Sequence, residues 1–287
     1  MPEPYVQESY DYCRIVARTQ AGNFYYSFIV LPLERRRAIH AIYAFLRYCD
    51  DIVDEDGATS EKKTQLEKWR RVLDSAYADL NSEEHPILPA FRDTIRRFRI
   101  PREYFDAVID GAAMDLTASR YDTFEDLYRY CYRVASAVGL VCISVFGFTD
   151  EKAKGYAESC GIAFQLTNIL RDIREDAEMG RVYLPQEDLK QFNYSEDDIR
   201  NRVIDDRFVR LMKFEVKRAR RYYNDALPLL PMVHPSSRAC LAAMIKIYWW
   251  HLSEIESRGY DVFAQRVRLP AWKKLAIAVG ALIRKTV

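Results

Sequence analysis

The spacing of apolar residues restricts the fold of this 287-residue chain more than any other feature. Apolar side chains recur every three or four residues along nearly the whole chain, whereas the alternation typical of half-buried strands is scarce. Breaks fall at Pro32, Gly57, Pro101, Gly147 and Pro235, where the chain loses a donor or gains backbone freedom. The pattern predicts an almost wholly α-helical fold, with helices near residues 5–19, 33–53, 60–80, 87–99, 102–120, 124–147, 150–177, 206–227, 236–258 and 271–285.

Domain organisation follows from the same pattern. Several predicted helices are apolar over most of their circumference, which indicates a central helix surrounded by others. No repeat, low-complexity segment or Gly/Ser-rich linker divides the sequence. We therefore expect residues 1–287 to form one domain.

Charge and cysteine content limit the classes of partner. A formal net charge of +1 gives no bulk attraction to nucleic acid, so a small-molecule partner is expected and a nucleic acid is not. The six cysteines stand singly, without the spacing of a zinc site or a disulfide framework. No apolar leader segment is present, and no apolar stretch approaches the roughly 20 residues that span a bilayer. We expect a cytoplasmic protein, and the sequence does not indicate its oligomeric state.

The C-terminal segment 271–285 leaves two interpretations open. Lys273, Lys274, Arg284 and Lys285 flank an apolar centre, as in a helix that lies in a membrane interface. Such a helix would give the protein peripheral membrane contact. The alternative is a terminal helix that docks on the core.

The first of two acidic stripes ends the predicted helix 33–53. Five of the seven residues from 50 to 56 are acids, and Asp50 and Asp54 lie four apart on one helical face. Tyr43 and Arg47 precede Asp50 on the same face by seven and three residues. One polar stripe therefore follows an otherwise apolar helix.

A second polar stripe runs along the predicted helix 150–177. Its members share one face, because they follow one another at offsets of three, four and four. They are Gln165, Asn168, Asp172 and Asp176. The neighbouring residues are apolar and expected to be buried, so these polar groups would be unsatisfied unless they lined a cavity. We therefore predict a cavity with a polar wall.

The residue types in the two stripes point to a particular ligand. Like-charged carboxylates four residues apart repel each other, and a cation between them removes the repulsion. Oxygen ligands without a partnering His or Cys favour Mg²⁺, which usually completes its shell with water and substrate phosphates. The stripes thus predict a diphosphate held by Mg²⁺ ions, although a solvated acidic face remains the alternative for either stripe alone.

Four ordered segments, spread over nearly the whole chain, resemble motifs of the squalene and phytoene synthase family. Residues 43–54 and 165–176 look like its two aspartate signatures, 130–139 its central helix, and Arg-Val-Tyr-Leu-Pro at 181–185 the segment after the second signature. The resemblance implies an isoprenoid synthase bundle, with helices around a central apolar cavity.

The segment 23–32 separates subfamilies. Its sequence Asn-Phe-Tyr-Tyr-Ser-Phe-Ile-Val-Leu-Pro looks most like the bacterial presqualene diphosphate synthases of hopanoid biosynthesis. Carotenoid-type members usually carry Ser-Lys-Ser-Phe where this chain has Ala21, Gly22, Asn23 and Phe24. The resemblance implies that backbone amides and Asn23 replace those diphosphate contacts, with Phe24 beside the substrate.

Residue by residue, the resemblance implies three kinds of role. The implied Mg²⁺ ligands are Asp50, Asp54, Asp172 and Asp176. The implied diphosphate-binding side chains are Arg47, Arg171, Arg181 and Arg266, with Gln165 and Asn168 beside the second diphosphate. Guanidinium groups suit this role because they stay charged and donate two parallel hydrogen bonds. The implied catalytic residues, whose hydroxyls orient diphosphate and whose rings stabilise a carbocation, are Tyr43, Tyr130, Tyr183 and Tyr248.

The implied activity is the Mg²⁺-dependent head-to-head condensation of two farnesyl diphosphates to presqualene diphosphate. Phytoene or dehydrosqualene synthesis is the nearest alternative, and a noncatalytic helical assembly factor of the same fold is the alternative from another class. Continuation to squalene requires NADPH. The chain lacks a G-x-G-x-x-G turn, but family members that reduce do so without one, so the use of NADPH stays open. The arginines at 35–37 lie outside the motifs and are expected to form a solvated face.

Overall fold

The computed structural model describes residues 4–78 and 85–283, except for the side chain of Asn23. Sixteen α-helices and one π-helical turn make up this described part. They are α1 (Pro4–Gln20), α2 (Gly22–Phe28), α3 (Leu33–Asp54), α4 (Thr59–Tyr77), α5 (Leu88–Arg97), α6 (Arg102–Asp115), α7 (Phe124–Cys131), the π turn (Tyr132–Ser136), α8 (Ala137–Phe146), α9 (Ala153–Arg171), α10 (Ile173–Glu178), α11 (Gln186–Gln191), α12 (Glu196–Arg200), α13 (Asp206–Ala226), α14 (Leu229–Met232), α15 (Pro235–Ser257) and α16 (Ala271–Ile283).

The all-α prediction is confirmed. Within the described ranges the only β-type pairing is an isolated bridge between Phe148 and Val233. Buried apolar side chains form one hydrophobic cluster that extends from α1 to the loop before α16. The extent of a single domain over residues 1–287 stays a prediction.

The run from α7 through the π turn to α8 forms the centre of the bundle, where α6 and α9 both pack against the π turn. Gly161 permits the close approach of α9, because a Cβ at this position would lie 2.5 Å from the Cα of Ser136. By length and composition alone, Phe124–Phe146 could also cross a membrane. Its position between α6 and α9, and its contribution to an interior cavity, account for that apolar character.

Several predicted boundaries were wrong for identifiable reasons. Helices α2, α11, α12 and α14 have four to seven residues, which is too short for a periodic signal. The predicted helix 150–177 is interrupted at Asp172, which has φ −106°, and the predicted helix 102–120 already ends at Asp115. In both cases the corrected boundary places an aspartate at a helix end. Positions 79, 80, 284 and 285 of the predicted helices, which include Arg284 and Lys285, lie outside the described residues.

Arg35 does not belong to a solvated face as expected. Its guanidinium donates to the carbonyl oxygen of Phe146 and, at 2.6 Å, to Oγ of Ser237. Arg35 therefore joins the start of α3 to the end of α8 and the start of α15.

The C-terminal helix α16 combines features of both sequence interpretations. It packs against α2 and α15, and Ala278 on its inner face is fully buried. Its outer face is apolar and exposed, and Trp272 is 68% exposed. The other large apolar side chains on this face are Leu275, Val279, Leu282 and Ile283.

A buried charge cluster on α11 and α13 predicts a pH-dependent stability. The guanidinium of Arg218 donates to Asp188 at 2.7 Å and to Glu215 at 2.8 Å, and both carboxylates are buried. One arginine therefore faces two acids in the core. Burial, opposed by Arg218 and reinforced by Asp188, raises the pKa of Glu215 to about 8.

The sign of the effect follows from proton linkage. Because the folded state holds a proton that the unfolded state releases near the ordinary Glu pKa, stability falls as pH rises from about 4.5 to 8. We expect Glu215→Gln to flatten this slope and to raise the free energy of unfolding at pH 8 by on the order of 2 kcal/mol. Urea unfolding at pH 6 and pH 8 measures both effects, with exposed Glu125→Gln as the control. Equal pH slopes in the wild type and Glu215→Gln would contradict the assignment.

Candidate active site

A cavity of about 350 Å³ lies inside the bundle, as the sequence predicted. Its walls come from α2, α3, α6, α9 and α15 and from the α7–α8 run. Its apolar part contains Ile39, Phe146, Ala157, Leu229 and Leu241. At about 1.5 Å of rise per residue, the lining residues of α9 from Ala157 to Asn168 span about 16 Å. The cavity therefore extends far enough along α9 to hold a linear apolar chain.

Polar side chains also contribute to this wall. The residues that the sequence analysis selected and that line the cavity are Phe24, Tyr43, Asp50, Tyr130, Gln165, Asn168 and Tyr248. The Nδ2 of Asn168 donates to Oε1 of Gln165 at 3.3 Å, while Oδ1 of Asn168 is buried without a partner among the described residues. An unsatisfied acceptor at this position is consistent with a ligand that supplies a donor or a cation.

A carboxylate at the end of α6 interacts electrostatically with both acidic stripes. Asp115, at the end of α6, lies between them, since its carboxylate is within electrostatic range of Asp54 on one side and of Asp176 on the other. Asp50, which is accessible from the cavity, also repels Asp54 and Asp115. Two helices and a helix end thus bring four carboxylates toward one region.

This crowding changes proton affinities. Desolvation, with repulsion from Asp54 and Asp115 opposed by Arg47, raises the pKa of Asp50 to about 7. Desolvation, together with repulsion from Asp172, raises the pKa of Asp176 to about 7. The positive charge near Asp50 and Asp176 is therefore too small to neutralise these carboxylates. A cation between the stripes would supply it.

Asp115 is a site residue that the sequence analysis missed. It lines the cavity, and its Oδ1 accepts a hydrogen bond from the Tyr183 hydroxyl at 3.0 Å. Burial raises the pKa of Asp115 in spite of its hydrogen bonds with Tyr130 and Tyr183. A single acid at a helix end has no periodic partner, so only tertiary contacts identify it.

Asp172 differs from the other aspartates because it is neutralised by protein cations. Arg171 donates to its two oxygens at 2.8 and 2.5 Å, and Arg266 does so at 2.8 and 2.9 Å. Burial would raise the pKa of Asp172, but these hydrogen bonds lower it. Four donors therefore already occupy this carboxylate.

The remaining selected residues surround the cavity without lining it. Arg47 pairs with Asp51 one turn further along α3. Asp176, Arg181 and Tyr183 line a small crevice beside α9 and α10, and Arg181 donates to the carbonyl oxygen of Asp115 at 3.4 Å. The side chain of Asn23 lies outside the described residues, so its expected role is not addressed by these contacts.

Aromatic rings form two groups at the cavity wall. Tyr248 stacks on Phe164 at 4.3 Å and on Phe24 at 5.4 Å between ring centroids. On another side, Tyr130 stacks on Tyr183 at 5.3 Å. Burial raises the pKa of Tyr248 to about 12, so its hydroxyl remains protonated and can donate. These rings can exclude water and stabilise a cation through their π faces.

Mg²⁺ together with a phosphate ligand fits this donor set. Across the described ranges, no group of three or more His, Cys, Asp or Glu is close enough to hold a metal ion by itself. Mg²⁺ typically uses one or two carboxylates together with substrate phosphates and water. Spaced carboxylates with raised pKa values, of which Asp50 and Asp115 line an apolar cavity, therefore suit Mg²⁺ that binds together with a diphosphate.

Comparison with known proteins agrees with this geometry. The squalene/phytoene synthase family model matches residues 17–273. The 15-cis-phytoene synthase of Synechococcus elongatus is 39% identical over 294 aligned positions, which cover 98% of this chain and 95% of the relative.

Two solved structures have the same architecture. A dehydrosqualene synthase in complex with a ligand has a TM-score of 0.88 at 26% identity, covering 97% of this chain and 96% of that one. Squalene synthase HpnC from Alicyclobacillus acidocaldarius has a TM-score of 0.85 at 29% identity, covering 91% and 97%. With the family model, these matches confirm the resemblance read from the aspartate signatures, and the chain belongs to the squalene/phytoene synthase family of prenyltransferases.

Proposed function

We propose that this prenyltransferase joins two farnesyl diphosphates head to head and releases presqualene diphosphate. The observation that carries the proposal is the long apolar cavity that Asp50 and Asp115 line, with Asp54 and Asp176 close enough to Asp115 to interact with it electrostatically. The cavity would hold the isoprenoid chains, and the carboxylates would lie next to the diphosphates. A noncatalytic assembly factor has no need for uncompensated carboxylates at such a position.

The proposed metal-binding role belongs to Asp50, Asp54, Asp172 and Asp176, with Arg47, Arg171, Arg181 and Arg266 as phosphate-binding groups. Bound Mg²⁺ would stabilise the negative charge that develops on the departing diphosphate. The arginines would orient the phosphate oxygens through charged hydrogen bonds. Gln165 and Asn168 would contact the second diphosphate.

The chemistry needs a dry cavity. Loss of diphosphate from one substrate leaves an allylic cation, which the double bond of the second substrate attacks, and loss of a proton closes the cyclopropane. Water would trap this cation as an alcohol, so the walls around Tyr43, Tyr130 and Tyr248 would exclude it. Their rings would stabilise the cation, and the hydroxyl of Tyr183 would hold Asp115.

Phytoene synthesis is the second candidate, because the 39% identical relative from Synechococcus elongatus is named 15-cis-phytoene synthase. The segment 23–32 supports the presqualene assignment instead, since this chain lacks the Ser-Lys-Ser-Phe stretch of carotenoid-type members. Both candidates use the same site and differ in substrate length and product.

A product assay separates the candidates. The purified chain with Mg²⁺ is incubated with farnesyl or geranylgeranyl diphosphate, each with and without NADPH, and the extracts are analysed by mass spectrometry. We expect presqualene diphosphate from farnesyl diphosphate, with no need for NADPH. Phytoene from geranylgeranyl diphosphate, or dehydrosqualene from farnesyl diphosphate, would replace our assignment. Squalene formed only with NADPH would extend it.

The newly identified Asp115 gives a prediction about the site itself. We expect Asp115→Asn to lower turnover by at least about a hundredfold, because the amide keeps the shape but loses the charge that faces both stripes. The fold should not suffer, since the substitution removes a desolvated charge. Turnover and the thermal midpoint are measured together, with Asp110→Asn on the exposed face of α6 as the control. Unchanged turnover in Asp115→Asn would remove this residue from the site.

We also propose that α16 rests on the membrane interface from the cytoplasmic side. Its exposed apolar face, with Lys273 and Lys274 at its start, supports this proposal. We expect Trp272→Ser combined with Leu275→Ser to lower co-sedimentation with anionic vesicles at least about threefold without loss of the thermal midpoint. The control is Leu227→Ser, at an exposed leucine after α13. Equal sedimentation of the wild type and the α16 variant would contradict membrane contact.

A further inference from the structure

A second pocket, separate from the cavity, lies between α1, α2 and the start of α3. It encloses about 220 Å³. We call it the arginine pocket, and it is lined by Arg14, Arg36, Arg37, His40, Tyr10, Tyr25, Asp11, Ile29 and Leu33.

The charge of the arginine pocket is unbalanced. Three guanidinium groups face one carboxylate, that of Asp11, which already accepts from Gln7 at 3.0 Å and pairs with Arg14 at 3.4 Å. Arg36 donates to the carbonyl oxygen of Ile29 at 3.1 Å. Among the described residues, neither Arg36 nor Arg37 has a carboxylate partner within ion-pair distance. Two positive charges therefore remain available to an anion.

The wall of the same pocket contains an unsatisfied imidazole. His40 is 4% exposed, and neither ring nitrogen has a hydrogen-bond partner in the described part of the chain. Desolvation, reinforced by Arg36 and Arg14, lowers the pKa of His40 to about 4, so the ring is neutral and offers one donor and one acceptor. Buried polar groups of native proteins are seldom left without partners, and a bound ligand is one way to satisfy them.

Ligand chemistry follows from these groups. Guanidinium forks match the oxygens of phosphate better than those of any uncharged group, and a phosphate oxygen can accept a hydrogen bond from an imidazole N–H. The exposed apolar side chains of Ile29 and Leu33 lie at the same pocket, where an apolar substituent of the ligand could rest. We propose that the arginine pocket binds a phosphate-bearing anion.

Binding in the arginine pocket can affect the cavity, because neighbouring side chains connect the two sites. The His40 ring lies 6.3 Å from the ring of Phe28, and Phe28 lines the cavity. His40 also stacks on Tyr25 at 6.1 Å. A ligand that orders His40 would therefore bear on a side chain of the cavity wall.

The test uses the imidazole signals of the full-length protein. Four histidines give four Cε1–H signals in a proton–carbon NMR spectrum, and the signal of His40 is assigned by its loss in His40→Gln. Inorganic phosphate and inorganic diphosphate are titrated in EDTA, because binding of diphosphate between the aspartate stripes is expected to require Mg²⁺. We expect a saturable shift of the His40 signal. Arg36→Gln combined with Arg37→Gln should weaken it at least about tenfold.

Controls separate charge from folding. Arg129→Gln combined with Arg221→Gln removes the same charge from exposed helical positions and should leave the titration unchanged. Arg37→Gln alone breaks no hydrogen bond between described residues, so it tests the pocket even if the double variant loses stability. A His40 signal that does not move, or that moves equally in the wild type and in the arginine variants, excludes binding of a free phosphate or diphosphate. The proposal is then overturned unless the vesicle experiment described next shows binding of a lipid headgroup.

A vesicle arm identifies the source of the phosphate. Co-sedimentation is compared on phosphatidylcholine vesicles with and without phosphatidic acid. A phosphatidic-acid-dependent gain that the Arg36 and Arg37 variants lose, and the matched control keeps, supports a lipid headgroup. A His40 shift without such a gain supports a free phosphate or diphosphate. Absence of both overturns the proposal.

Discussion

Asp50→Asn is expected to lower turnover by about 10³-fold while the thermal midpoint stays unchanged or rises. Asp50 lines the cavity beside two other carboxylates, and desolvation raises its pKa to about 7. The neighbouring carboxylates therefore disfavour this charge in the folded state unless a cation is bound, and the proposed function needs the charge to hold that cation. Asparagine removes both the cost and the function. This combination of lost activity and retained stability is typical of a functional residue, not of a structural one.

The measurement compares steady-state turnover with farnesyl diphosphate and thermal unfolding for the same preparations. Asp56→Asn is the matched control, because Asp56 belongs to the same acidic run but follows the end of α3 and does not line the cavity. We expect wild-type turnover from it. If Asp50→Asn turned over like the wild type, the first stripe would be a solvated face after all. A large drop in the thermal midpoint would assign Asp50 to folding.

The stripes could be predicted because helical periodicity orders their members. Offsets of three and four residues fix Gln165 and Asn168 on one face whatever the rest of the chain does, and both line the cavity as expected. Because the residues next to them in the sequence are apolar, this helix had to lie in the interior of the protein. The fold class followed from the same periodicity, since nearly every long segment carried it.

Asp115 and the state of Asp172 could not be predicted, because both depend on contacts between distant segments. Asp115 ends α6, and its partner Tyr183 lies 68 residues further along the chain. Arg266 reaches Asp172 across 94 residues. The spacing of residues within one sequence segment does not indicate contacts between such distant segments. The sequence analysis placed Asp172 and Arg266 in one predicted site, but it did not predict that they bind each other.

That ion pair leads to the second large effect, which concerns Arg266→Gln. With four hydrogen bonds from Arg171 and Arg266, Asp172 has no free acceptor position for a cation. Arg266 must therefore leave Asp172 if this carboxylate is to bind Mg²⁺, and a diphosphate is the natural new partner for its guanidinium. Metal and diphosphate should consequently bind together, each more tightly in the presence of the other.

Removing Arg266 should change the affinities for metal and for diphosphate in opposite directions. We expect Arg266→Gln to bind Mn²⁺, a probe for Mg²⁺, at least about tenfold more tightly in the absence of diphosphate, because Asp172 loses a competing cation. Diphosphate with metal should bind at least about tenfold more weakly, because a charged donor is lost. Electron paramagnetic resonance of Mn²⁺ and calorimetry of diphosphate measure these affinities without turnover.

Arg268→Gln is the matched control for Arg266→Gln, because Arg268 lies two residues further along the same loop and is exposed. It should change neither affinity. Asp172→Asn would be a less selective test, since it leaves the buried Arg171 without its carboxylate and costs stability as well. If Arg266→Gln weakened metal binding and diphosphate binding alike, Arg266 would be organising the site and not competing with the cation. Opposite changes require that Arg266 exchanges one anionic partner for another when substrate arrives.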